Sequence, residues 1–170
     1  MTHVDEPLQW RSTAPADLDA IAAIANQVHV ALRERNDVLA EKLRLYPAGC
    51  FSLIQAGAVV GYALSHPWPL NSIPALDTFL GAIPAASDGL FVHDVVVLPQ
   101  ARGRGAAAAL IGRLADLARR QGLAALALVS VYDTQALWAR CGFAVVDDAR
   151  FAAKLASYGD TARTMRRVLR

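Results

Sequence analysis

Apolar residues recur along this chain in two rhythms, one helical and one strand-like, and their alternation predicts an α/β protein. Residues 8–11 form a short extended run. Ser12 and Thr13 then offer helix caps, and Leu18, Ile21, Ile24, Ala25 and Val28 recur at helical spacing. A second helix is predicted over residues 37–45, with Leu39, Leu43 and Tyr46 on one side and Pro47 ending it, while Arg33, Glu34 and Arg35 read as a solvated turn. The rhythm next becomes that of a hairpin: β-formers over residues 51–54, a turn at Ala56 and Gly57, and a return over residues 59–64.

"LFVHDVVVL" at residues 90–98 is the strongest strand signal, and "GLAALALVSV" at residues 122–131 is another. The amphipathic stretch 105–121 between them makes a βαβ unit, so the two strands should be parallel with a right-handed crossover. A short helix over residues 133–140 stops at Gly142, "FAVV" reads as a sixth strand and "TARTMRRVL" as a last one. The resulting order is β-α-α-β-β-β-α-β-α-β-β. A proline-rich connection over residues 67–89 carries Trp68, Leu70, Ile73, Leu76, Phe79 and Leu80, too apolar for a solvated linker, and is expected to fold over another part of the chain.

Composition narrows the classes. With 170 residues, 55% hydrophobic and 19% charged, the chain is expected to form a single domain over residues 1–170 and not to be disordered. Residues 46–76 lack any charged side chain, but glycines and prolines interrupt them, so no membrane span is read there. Asp5, Glu6 and Pro7 come early and no basic-then-apolar leader is present, so the expected location is cytoplasmic. A net charge of +2 gives little drive toward nucleic acid, although the C-terminal "RTMRRVLR" could form a local basic patch. Cys50 and Cys141 lie far apart without metal-ligand spacing and read as structural thiols; His3, His29 and His66 read as ordinary terminal, helix and loop residues, and no metal is assigned.

One stretch, "VLPQARGRGAAAALIGRL", raises a chemical question. Between Val97 and Ala106 a strand must turn into a helix whose first N–H groups lack partners and attract an anion. Gly103 and Gly105 remove side chains that would keep a phosphate from the backbone, and Arg102 and Arg104 offer forked donors. A solvated glycine turn is the bland alternative. A nucleoside triphosphate loop is excluded because Ala106 and Ala107 stand where its Lys and Ser or Thr belong; the dinucleotide spacing fails because Ala108 occupies the third glycine position.

Here the chain resembles the GNAT superfamily of N-acetyltransferases, whose signature of Gln or Arg, two residues, Gly, one residue, Gly or Ala reads Gln100, Ala101, Arg102, Gly103, Arg104, Gly105. "VVVLP" before it and "ALWARCGF" after it match the family's fourth strand and its short helix with following Gly-Phe. The resemblance implies a central mixed, mostly antiparallel sheet of about six to seven strands flanked by helices, with strands four and five splayed apart. It implies acetyl-CoA as cosubstrate, its pyrophosphate held by Gln100 and Arg102 to Ala106, its pantetheine by the backbone of Val95 and Val97, and its thioester oxygen by an N–H near Val96.

The implied reaction is direct transfer of acetyl to an amine acceptor, without a covalent enzyme intermediate. His93 and Asp94 interrupt an apolar strand near the expected thioester and are the candidate bases, directly or through water; the alternative is a hydrogen-bonded core pair. The family's usual tyrosine acid is replaced by Trp138, which could pack on CoA, leaving Tyr132, Tyr158 or solvent to protonate the thiolate. The connection bracketed by Asp77 and Asp88, with Trp68 and the first helix pair, is expected to shape the acceptor pocket. A non-catalytic acyl-CoA sensor of the same fold is the rival reading, a nucleotide-binding α/β protein the third. The apolar connection and last strand could serve a homodimer interface.

Overall fold

Residues 6–170 are described by the computed structural model, so His3 lies outside the described residues. The strands are β1 (Gln9–Ser12), β2 (Cys50–Gln55), β3 (Ala58–Trp68), β4 (Gly89–Val97), β5 (Ala125–Ser130), β6 (Ala144–Val145) and β7 (Arg163–Val168). The helices are α1 (Leu18–Val28), α2 (Asn36–Leu45), α3 (Ala106–Arg120), α4 (Gln135–Arg140) and α5 (Ala152–Ala156). All seven strands join one sheet in the order β1-β2-β3-β4-β5-β7-β6, antiparallel except for the β4–β5 pair. This is the mixed, mostly antiparallel α/β architecture expected from the sequence.

Two details differ. Helix α5 is an unexpected element, and the expected sixth strand shrinks to Ala144–Val145, both exposed at the sheet edge beside β7. Strand β3 also runs past the expected return, carrying His66 and Pro67 into the sheet.

Helix α3 explains one face. Leu110, Ile111, Leu114 and Ala118 recur at three- and four-residue spacing and are fully buried against Val92, Leu126 and Leu128, while Arg119 and Arg120 complement the helix dipole in its last turn. Trp10 donates its indole N–H to the Ala106 carbonyl at 2.8 Å, fastening β1 to the helix's first turn. On the other face, Ile21, Ile24, Leu39 and Leu43 of α1 and α2 pack on Tyr62, Leu64 and Val96. The proline-rich connection, as expected, is no free linker: Ile73, Leu70 and Leu76 pack with Phe91, Phe151 and Tyr158 in a third cluster.

The decisive local feature lies in β4. Asp94 pairs with Leu64, but Val92 pairs with Ser65, so His93 is an extra residue in a β-bulge. Leu90, Val92, Val95 and Val97 face α3, whereas Phe91 and Val96 face the opposite side. The bulge therefore puts His93 and Asp94, neighbours in sequence, on the same face, where strict alternation would separate them.

Candidate active site

Strands β4 and β5 pair only from Gly89 to Phe91 and Ala125 to Ala127. Beyond that point they diverge, and a cavity of about 700 Å³ opens between them. Val92 to Val97 form one wall and Leu128, Val129, Tyr132, Leu137, Trp138 and Cys141 another. One end lies at the turn into α3 and the other at His29, His93 and Asp94.

At the first end, Gly103 and Gly105 have φ of +74° and +76°, and a Cβ at either would strain the backbone even though nothing crowds it. Gly103, Gly105 and Ala106 to Ala108 line the cavity, so the first turn of a fifteen-residue helix faces it with backbone and no bulky side chain. The two arginines each make one bond to the chain itself. Arg102 lines the cavity but donates from Nε to the Val97 carbonyl at 2.8 Å, and Arg104 donates to the Glu6 carbonyl at 3.0 Å. Neither Arg104 nor Gln100 lines the cavity. Val95, Val96 and Val97 do; Val96 buries its side chain on the α1–α2 face, so it offers the cavity backbone.

At the other end a chain of four groups meets. Tyr62 donates its phenol to Asp94 Oδ2, and both Asp94 oxygens lie 2.9–3.0 Å from His29 Nε2. His29 Nδ1 lies 3.0 Å from the Tyr132 hydroxyl, with the two rings stacked at 5.8 Å. Burial and the Asp94 charge push the Tyr62 phenol far up, so it remains a donor. Burial works against the His29 imidazolium, but the hydrogen bond and charge of Asp94, with Glu34 beyond, outweigh it and hold its pKa above the ordinary value. Tyr132 and Asp133 both adopt left-handed φ, +54° and +57°, a costly conformation for two consecutive non-glycine residues at the end of β5.

His29 is thus not the ordinary helix residue expected. It directly follows α1, in a non-helical conformation, and bonds a carboxylate 65 residues away. Glu34 is not solvated either: its Oε1 lies 2.7 Å from His93 Nε2, and the two side chains are 8% and 1% exposed. His93 therefore partners Glu34 and not Asp94, which corrects the expectation of a His93–Asp94 core pair. Burial opposes the Glu34 charge, but His93, Lys42 and the Asp77 N–H hold its pKa at about 2.

Trp138 lines the cavity, as the expectation of packing there requires, and donates its N–H to Thr134 at 3.1 Å. Tyr158 is taken out of consideration as an acid because it is buried with its hydroxyl on the Pro74 carbonyl at 2.6 Å, away from the cavity. Burial pushes the Cys50 thiol up to about 12 and raises that of Cys141, which makes both poor nucleophiles.

Residues 17–143 match the acetyltransferase (GNAT) family, and the chain belongs to it. No curated protein matches the chain in sequence. Among solved structures, Ard1 from Thermoplasma volcanium superposes with a TM-score of 0.71 at 18% identity, over 96% of this chain and 98% of that one. The GNAT-like decarboxylase GphF in complex with isobutyryl-CoA reaches 0.77 at 18% identity, over 95% and 100%. The ribosomal-protein-S18-alanine N-acetyltransferase from Escherichia coli reaches 0.68 at 20% identity, over 96% and 94%. These likenesses establish the GNAT fold. Among the described residues, no helix is long and apolar enough to cross a membrane.

Proposed function

We propose that residues 1–170 form one acetyltransferase domain that moves the acetyl group of acetyl-CoA to a primary amine of a small molecule, peptide or protein. The observation that carries this reading is a single cavity joining the glycine-lined N-terminus of α3 to the His29–Asp94 pair. The helix terminus suits pyrophosphate, the apolar β4–β5 walls suit pantetheine, and the thioester then falls near Val96 and Asp94.

The acceptor nitrogen attacks the thioester carbonyl, and a backbone N–H beside Val96 stabilises the oxyanion. Asp94, fixed by Tyr62, orients His29 with its Nε2–H toward the carboxylate, leaving Nδ1 to receive the amine proton through the Tyr132 hydroxyl. As the C–S bond breaks, Tyr132 passes a proton to the thiolate and recovers one from the imidazolium. His93, turned toward Glu34, positions the strand and is not the base.

The test is CoA release from acetyl-CoA across an amine panel, with mass detection of the acetylated product, beside the rise in Tm with acetyl-CoA. Amine-dependent release that falls in His29→Gln supports transfer. An acetyl-CoA shift with no release from any amine would leave the non-catalytic sensor, and a larger shift with ATP or NAD than with acetyl-CoA would leave a nucleotide-binding protein.

A further inference from the structure

Next to His93, on the same face of the sheet and beneath the connection 69–88, lies a polar cluster that the reaction above does not use. Lys42 of α2 is fully buried, and its ammonium has no hydrogen-bond partner among the described residues. Burial pushes the Lys42 ammonium below its ordinary pKa, and the charges of Glu34, Glu41, Asp77 and Asp94 offset that only in part. Each carboxylate is already committed. Glu34 accepts from His93 and the Asp77 N–H, and Glu41 accepts from the Leu80 and Gly81 N–H groups at 2.7 and 3.0 Å. Asp77 binds Arg35, and Asp94 binds His29 and Tyr62.

The Trp68 indole N–H, which can only donate, is buried without an acceptor as well. His66 bridges the cluster, with its ring 5.4 Å from Trp68 and 6.0 Å from His93. Its Nδ1 donates to the Pro67 carbonyl at 3.1 Å, which leaves Nε2 of the neutral ring an acceptor without a partner. Buried donors left unsatisfied are costly and rare, so the Lys42 ammonium and the Trp68 indole N–H, both near the His66 ring, indicate a ligand with acceptor capacity. Lys42 in addition calls for negative charge. Asp94, at the reacting end, is the chain neighbour of His93, at the cluster's edge, and its charge acts on Lys42, so the cluster adjoins the reacting end.

We infer that Lys42, with Trp68, holds a carboxylate of the acceptor, so that the acceptor is an amino acid or a similar small amine bearing a carboxylate close to its nitrogen. This rests on the acetyl-transfer reading. The connection 69–88 forms the roof of the subsite, tied down by Glu34 and Glu41 through backbone N–H groups and not by regular structure, and it admits the acceptor by releasing them.

The experiment compares L-amino acids with the matching amino-acid amides as acceptors for the wild type, Lys42→Met and Trp68→Phe, with Tm recorded for each protein. The wild type is expected to favour carboxylates at least about tenfold in kcat/KM, the worth of a hydrogen bond to a charged group, and that ratio collapses toward one in Lys42→Met and narrows in Trp68→Phe. Equal use of acids and amides by the wild type overturns the inference, and so does an unchanged ratio in a folded Lys42→Met, which is what a water-filled cluster would give. Should no amine be acetylated, the transfer reading fails first; the subsite is then read from Tm with acetyl-CoA and each acid or amide. A shift confined to acids and lost in Lys42→Met sustains it, and the absence of such a shift overturns it.

Discussion

At the α3 end of the cavity the wall is backbone: two left-handed glycines and the N–H groups of one helix turn, contributed by a few consecutive residues. At the β4 bulge end it is side chain: His29 from the end of α1, Tyr62 from β3, Asp94 from β4 and Tyr132 from beyond β5, converging across the fold. A backbone site needs glycines and spacing, whereas a side-chain site needs the whole sheet to be in register. The first is tolerant of which polar residues surround it; the second is not.

If the halves are separable, Asp94→Asn strikes only the second. It should lower kcat by about 10²–10⁴-fold while the Tm rise with acetyl-CoA is retained, and loss of both would show one undivided site. The converse is Gly105→Val, which forces a β-branched residue to φ near +76° at about 1–2 kcal/mol. Acetyl-CoA should bind about tenfold more weakly, while kcat at saturating acetyl-CoA persists. A kcat loss as large as that of Asp94→Asn would contradict the division.

A smaller effect concerns pH. If neutral His29 is the working form, kcat/KM climbs with pH through a limb lying above the ordinary histidine value of 6.5, because Asp94 and Glu34 favour the imidazolium. The residual activity of Asp94→Asn should show that limb displaced to lower pH; an unmoved limb assigns it to another group. The smallest effect is on stability. Burial holds His66 at about 3 in the folded chain against 6.5 ordinarily, so its contribution is complete above pH 6.5 and declines as pH falls toward 3. His66→Phe should flatten Tm against pH across that window, and an identical slope would assign the dependence to the carboxylates instead.

The sequence carries these two regions unequally. Helical and alternating rhythm located α1, α2, α3 and the parallel β4–β5 pair, and the stretch 100–105 announced the helix-terminal turn because its glycines are local signals. What local pattern could not carry is partnership. Glu34 looked solvated between two arginines, and only the roof over residues 69–88 and the proximity of His93 bury it. His29 gave only the faint signal of a histidine immediately after an apolar helix. The arginines of the turn are legible by type alone: the sequence shows donors suited to phosphate, but not that Arg102 Nε and one Arg104 nitrogen bond the chain's own carbonyls.

The extra residue at His93 has one more consequence, which concerns parity. Before it, even-numbered positions of β4 face α3; after it, odd-numbered positions do. The strand thus carries two reading frames, and an insertion or deletion of one residue there exchanges Val95 and Val97, which face α3, with Asp94 and Val96, which face the opposite side. Substitution can tune this protein's chemistry one residue at a time, but a change of length in β4 rewires both halves of the site at once.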